Sequence, residues 1–209
     1  AGLDANRNPA FGSYGYIPTS FFQRSFLQTI GREFNFLNCP NGYALSFDGV
    51  QNYVSLGTMG NFGSNLGNGF YCQFQIQTTN TTNIGGFGFL NSGATEAIII
   101  GFNSDGGGLS AGFLRLFLRD PSGNVLALSV PTPGFSDGNV HLVEMSTDFS
   151  GQTITIKLDG IQYTNTYENQ AALSGFTNFV NNFTLGVRNN NGSLQQFFPC
   201  IIDNFKIGT

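Results

Sequence analysis

From residue 43 to the end of the chain, apolar side chains fall on alternate positions and the runs are separated by turn residues. Phe70, Cys72, Phe74 and Ile76 are spaced by single polar residues, and Leu114, Leu116 and Leu118 alternate with Arg115, Phe117 and Arg119. Val140, Leu142, Glu144 and Ser146 alternate with His141, Val143, Met145 and Thr147. A strand turns successive side chains to opposite faces, so this period of two belongs to strands with one buried face. Asp120-Pro121-Ser122-Gly123 reverses the chain into Val125, Ala127 and Ser129. Asp159-Gly160, between Ile154-Ile156-Leu158 and Ile161-Tyr163, is the strongest hairpin signal in the chain. Further strands are expected at Ala44–Phe47 and Tyr53–Leu56 around Asp48-Gly49, at Phe183-Leu185-Val187, and from Ile201 to Ile207. About twelve strands joined by short turns predict a mainly β fold, an antiparallel β-sandwich or jelly roll.

The first 40 residues differ. Ala1 to Tyr16 is rich in Gly, Asn and Tyr and reads as an extended arm. Pro18-Thr19-Ser20 then precedes Phe22, Phe26, Ile30 and Phe34, a stripe at helical spacing that Thr19 or Ser20 can cap. The spacing predicts one short helix over about 19–32, weakened at its end by Gly31. The division expected is an arm over 1–40, docking through its Phe stripe on this sandwich or on a neighbour, and one sandwich domain over 41–209. Ala1 fits either trimming of a preceding Met or cleavage of a signal peptide.

Charged residues are only 10% of the 209, with 8 basic and 12 acidic side chains and a net charge of −4. This excludes a basic nucleic-acid footprint and a polybasic membrane-surface segment, and no run is apolar enough to span a bilayer as a helix. A chain this poor in charge either carries sugar or buries much of its surface against partner subunits. Sequons stand at Asn80, Asn182 and Asn191, and an Asn- and Thr-rich chain produces sequons by chance, which favours self-association or other structural subunits as the cover. Cys39, Cys72 and Cys200 are compatible with buried thiols, or with one disulfide, Cys39–Cys200, and a free thiol.

Three segments in order resemble the laminin-G-like branch of the concanavalin A-like sandwich superfamily. They are Ala44-Leu45-Ser46-Phe47-Asp48-Gly49 leading to Tyr53-Val54; Val140-His141-Leu142-Val143 followed by Ile154-Thr155-Ile156-Lys157-Leu158-Asp159-Gly160; and Phe183-Thr184-Leu185-Gly186 with Ile201-Ile202-Asp203-Asn204-Phe205-Lys206-Ile207. The resemblance covers about four-fifths of the chain. Val140 stands where the family often has Trp. The resemblance implies a calcium ion at the sandwich rim, bound by an Asp and backbone carbonyls. The loop Asn103-Ser104-Asp105-Gly106-Gly107-Gly108 is the candidate, with Asp105 and Asn103 as ligands and Asn189-Asn190-Asn191-Gly192 as a neighbouring rim loop.

The same superfamily holds glycoside hydrolases, which need two carboxylates about 5–5.5 Å apart for retention. Of Glu33, Glu96, Glu144 and Glu168, none forms the family's paired motif, and Glu144 and Asp148 on one strand would stand roughly 13 Å apart. His141 is the one His and reads as structural rather than as a general base. The chain is therefore expected not to be an enzyme. Two roles are expected of it: a structural subunit on the surface of a larger assembly, such as a virion decoration or an extracellular filament, that also binds glycans; or a free secreted module binding a glycan or a protein. The location expected is a virion surface or the extracellular space.

Overall fold

The computed structural model describes residues 36–39, 42–58, 62, 66–67, 69–90, 95–177 and 181–208. The helix expected over 19–32 and its stripe Phe22, Phe26, Ile30 and Phe34 lie outside the described residues. The last residues of the expected arm form a strand, β1 (Phe36–Cys39), whose Phe36 pairs with Leu45.

Two sheets face each other. The seven-stranded sheet runs β1, β2 (Gly42–Asp48), β16 (Pro199–Gly208), β4 (Tyr71–Gln77), β9 (Val140–Asp148), β10 (Thr153–Leu158) and β11 (Ile161–Tyr163), with every neighbour antiparallel. The nine-stranded sheet runs β12 (Asn169–Gln170), β8 (Val125–Pro131), β7 (Leu109–Arg119), β6 (Ala97–Ser104), β5 (Gly85–Leu90), β13 (Thr184–Leu185) and β3 (Val54–Ser55). A hairpin of β14 (Arg188–Asn190) and β15 (Ser193–Gln195) completes it through a parallel pairing of β14 with β5. The described residues thus form an antiparallel β-sandwich of sixteen strands, more than the twelve expected because several are only two or three residues long.

The alternation read from the sequence is the packing pattern. Along β4 the buried positions are Cys72, Phe74 and Ile76, and along β7 they are Leu114, Leu116 and Leu118. Between the sheets lies a cluster of rings. Phe102 of β6 has its ring centroid 4.6 Å from Phe87, 4.8 Å from Phe198, 5.8 Å from Phe135 and 6.1 Å from Phe74. Phe74 belongs to the seven-stranded sheet and Phe87 and Phe102 to the other, so the cluster joins the two layers. A chain of 23 Phe and no Trp builds its core this way, with rings that need no buried hydrogen-bond partner.

Asp159 (φ +53°) and Gly160 (φ +80°) both take the left-handed conformation, the type I′ geometry that the Asp-Gly pair predicts. Asp48-Gly49 acts differently. The Asp48 carboxylate accepts the N–H groups of Val50, Gln51 and Asn52, and the turn carries the chain from one sheet to the other. Gly49 (φ +74°) is required there, since a Cβ would lie 2.6 Å from the Pro199 ring. The single strand expected over Phe183–Val187 is broken at Gly186 (φ +80°), which packs under the Phe47 ring where a Cβ would collide.

The Cys39–Cys200 pairing does not form. Cys200 is a free thiol buried in the core, as is Cys72. Cys39 pairs with Gly42 on one side of β2 and Cys200 with Phe47 on the other, five positions along. That separates their Cα atoms by about 17 Å along the strand alone, where a disulfide tolerates about 7 Å. Burial pushes both core thiols well above the usual cysteine range.

Phe102→Ala should cost about 3–5 kcal/mol, because the void it leaves is lined by four rings held by two sheets. Denaturant melts would measure this as a lowered midpoint with an unchanged slope.

Candidate functional site

The outer face of the nine-stranded sheet is where side chains not used by the core collect. Register sets them in rows. Gly88, Ile99, Phe117 and Ala127 lie opposite one another across β5, β6, β7 and β8, and Arg188 of β14 joins this row beside Gly88. The next row is Gly86, Gly101, Arg115 and Ser129. Arg115, Phe117 and Arg119 share the face because Leu114, Leu116 and Leu118 take the other one.

Phe117 stands between two cations. The Arg115 and Arg119 guanidinium carbons lie 4.9 Å and 5.4 Å from its ring centroid. Glu168 holds Arg115 in place, accepting from Nε (3.0 Å) and Nη2 (2.5 Å), and also accepts the Ser129 hydroxyl. Arg188 is held more loosely. Its Nη2 donates to Gln195 Oε1 at 3.2 Å, and its buried Nε has no partner. Burial, and then repulsion from Arg115, lower its pKa. Three of the five basic residues among the described ones therefore sit on this face, in a protein of net charge −4.

Solved structures share this architecture. The chain aligns with domains LG4-5 of the mouse laminin alpha1 chain at 17% identity and TM-score 0.54, over 85% of this chain and 45% of that one. It aligns with the K499G mutant of the NanB sialidase from Streptococcus pneumoniae at 14% identity and TM-score 0.58, over 78% of this chain and 25% of that one. The botulinum neurotoxin serotype G binding domain aligns at 12% identity and TM-score 0.56, over 99% of this chain and 46% of that one. The fold is a laminin-G-like sandwich. The chain spans less than half the length of each of these proteins. No family model and no curated protein matches its sequence.

Asn103 and Asp105, the calcium ligands that the laminin-G-like resemblance suggested, both make hydrogen bonds within the fold. Asn103 is fully buried in a left-handed conformation (φ +51°), and its amide is used up by the fold. Its Nδ2 donates to the carbonyls of Asn80 (2.8 Å) and Asn83 (3.2 Å), and its Oδ1 accepts the Gly112 N–H (2.9 Å). Asn103 therefore does not fit a cation site. The Asp105 carboxylate is exposed and accepts from Gly107 and Gly108 N–H and the Ser110 hydroxyl, which lower its pKa. Among the described residues no three His, Cys, Asp or Glu side chains come together as a metal cluster. Asn189 of the neighbouring loop closes its own turn, accepting the Gly192 N–H and donating to the Asn182 carbonyl.

Among the described residues, Glu96, Asp137, Asp148 and Asp159 are engaged in structural hydrogen bonds. Glu144 lies on β9 between Gln73 and Lys157, while Asp148 caps the next turn through Ser150 and Gly151. Buried Glu96 accepts both the N–H and the hydroxyl of Thr177. His141 pins two turns together, with Nδ1 2.7 Å from Asp159 and Nε2 3.0 Å from Asp137. Burial alone would lower its pKa, but the hydrogen bonds to Asp159 and Asp137 and their charges outweigh it and raise it. The His141 hydrogen bond holds Asp137 down at about 2.

Two tests follow from these contacts. A His with a raised folded pKa contributes stability in full below its unfolded pKa of about 6.5 and loses it as pH rises through the folded value. Thermal melts between pH 6 and 9 should show the wild type losing stability as pH rises, and His141→Gln should flatten that slope. Asn103→Ala should cost about 1–3 kcal/mol by stranding its partners, equally with and without calcium; a calcium-dependent loss would restore Asn103 as a ligand.

Proposed function

We propose that the chain is a non-catalytic binding module that engages a saccharide on the outer face of the nine-stranded sheet. The observation that carries this reading is the gathering of Arg115, Phe117, Arg119 and Arg188 on one sheet face, with glycines at Gly86, Gly88 and Gly101 between them, on a protein that is otherwise sparing with charge. Arginines braced against a ring present their N–H groups in fixed directions, which suits ligands dense in oxygen. Glu168 is locked to Arg115 and Ser129, and Glu144 and Asp148 are fixed apart, which supports binding without hydrolysis. Among the structural neighbours, the neurotoxin fragment is by name a binding domain, and the reading places this chain in that class of role.

A second reading is favoured by the 10% charge content: a surface subunit of an extracellular or virion assembly, docked by its N-terminal segment. Light scattering of the full chain and of a chain lacking residues 1–35, which keeps β1, tests it. A large oligomer that falls to monomer on deletion supports it, and a monomer in both removes it.

The binding reading is tested on a glycan array, with a reducing-sugar assay run beside it. The wild type should retain at least one saccharide and release no sugar. Phe117→Ala, which removes the ring that braces two arginines, should weaken retention about tenfold without loss of the folded state. An array with no retained saccharide would end the proposal.

A further inference from the structure

Resting on that reading, we infer that the ligand is an acidic saccharide whose carboxylate seats on the Arg188 guanidinium. Three independent features of the face lead there. The first is position. The break at Gly186 turns the chain so that β14 runs parallel along β5 and delivers Arg188 beside Gly88. From β14 to β7 is three strand spacings, about 14 Å between the Arg188 and Arg115 backbones. The strands between them carry glycines: a Cβ at Gly86 would lie 3.5 Å from the Arg188 Cβ, and one at Gly101 would lie 3.0 Å from the Arg115 Cβ. The Arg188 and Arg115 side chains thus lie over glycines, with Ile99 beside them as the one apolar side chain between.

The second feature is the unequal use of the two guanidiniums. Arg115 is satisfied on Nε and Nη2 by the Glu168 carboxylate. Arg188 makes one hydrogen bond, to a neutral amide, and its Nε–H is buried with nothing to accept it. A buried, unpaired donor on a cation is costly, and a fold optimised for stability alone would not keep it. The edge of Arg188 that joins Nε and Nη is the edge that binds a carboxylate through two parallel hydrogen bonds. Arg115 with Glu168 gives the pattern to be copied: the same fork, already filled by a carboxylate from this chain.

The third feature is the local charge. Arg115 is paired with Glu168, and Arg188 on the same face has no carboxylate partner, so its charge is not balanced by this chain. Repulsion between Arg115 and Arg188 is relieved when an anion enters between them. Turning the Arg188 fork outward, past Ile99 and toward the Arg115 side chain that lies over Gly101, exchanges the unpaired Nε–H for a filled one.

The test uses the full chain and titrates it with oligogalacturonate and with neutral oligogalactose of equal length, followed by calorimetry and by the arginine Nε–H signals in 1H–15N spectra. Arg188→Gln identifies the Arg188 signal. Wild type should bind the acidic oligosaccharide at least tenfold more tightly than the neutral one, with the Arg188 Nε–H signal shifting on binding. Arg188→Gln and Arg188→Lys should both lose that preference, since lysine keeps the charge and lacks the fork. Arg188→Gln should also melt at the same temperature as wild type or higher, whereas a purely structural Arg188 predicts a lower one.

Equal binding of acidic and neutral sugars, with Phe117→Ala still weakening both, would overturn the carboxylate inference and leave the binding reading standing. No binding of either, together with a silent array, would remove both. Sodium sulfate shifting the Arg188 signal as strongly as the oligogalacturonate does would mean that any oxyanion fills the site, which also overturns the assignment to a carboxylate-bearing sugar.

Discussion

The two sheets are held at a fixed spacing by phenylalanine rings, and the rest of the molecule is arranged around that contact. Phe102 touches rings from the opposite sheet, from its own sheet, and from both the 132–139 turn and the segment before β16. Close-packed rings tolerate neither added nor missing volume. Backbone must therefore give way near them, and glycine occupies the tight points: Gly85 against Phe198 and Gly186 against Phe47. The second accommodation breaks a strand and redirects β14. The placement of Arg188 on the outer face is thus a consequence of how the core is packed.

Charge is divided by sign. Asp48, Asp105, Asp120, Asp137, Asp148 and Asp159 each accept a hydrogen bond within a turn or from the strand beside it. Asp120 does so on two segments, binding Asn124 and also Ser174 fifty-four residues on. Half of the twelve acidic side chains are therefore used in fixing loops at the ends of the strands. Three of the five basic side chains among the described residues lie on one sheet face. The local imbalance there comes from the distribution of charges more than from their number.

The strands and their reversals were legible because alternation and turn chemistry are local properties. Leu114-Leu116-Leu118 announced both the buried face of β7 and the face carrying Arg115, Phe117 and Arg119. Asp159-Gly160 announced its own turn type. What was not legible depended on contacts between distant residues. Nothing around Gly186 signals that the Phe47 ring lies above it, so the strand break and the position of Arg188 were missed. The strand-pair reading of Asp48-Gly49 did not reveal that this turn crosses between sheets, because a change of sheet is set by where β16 and Pro199 lie. The part Asn103 plays as an internal strut was not legible either, because its partners Asn80, Asn83 and Gly112 come from other segments. The signal that could have found the face was the pair of arginines flanking Phe117 at alternate positions on a strand whose other face is all leucine.

Cys72 and Cys200 lie on adjacent central strands, their thiols sealed in the core and held in the protonated form. Reagents that modify cysteine attack the thiolate, so at these two positions the folded protein is chemically silent. Either sulfur reacts only when the strands around it part, and because β4 and β16 are hydrogen-bonded neighbours their exposure is a single event. The core thus contains its own clock: the rate at which these two thiols become reactive counts the openings of the whole sandwich, undisturbed by the looser motions of its loops.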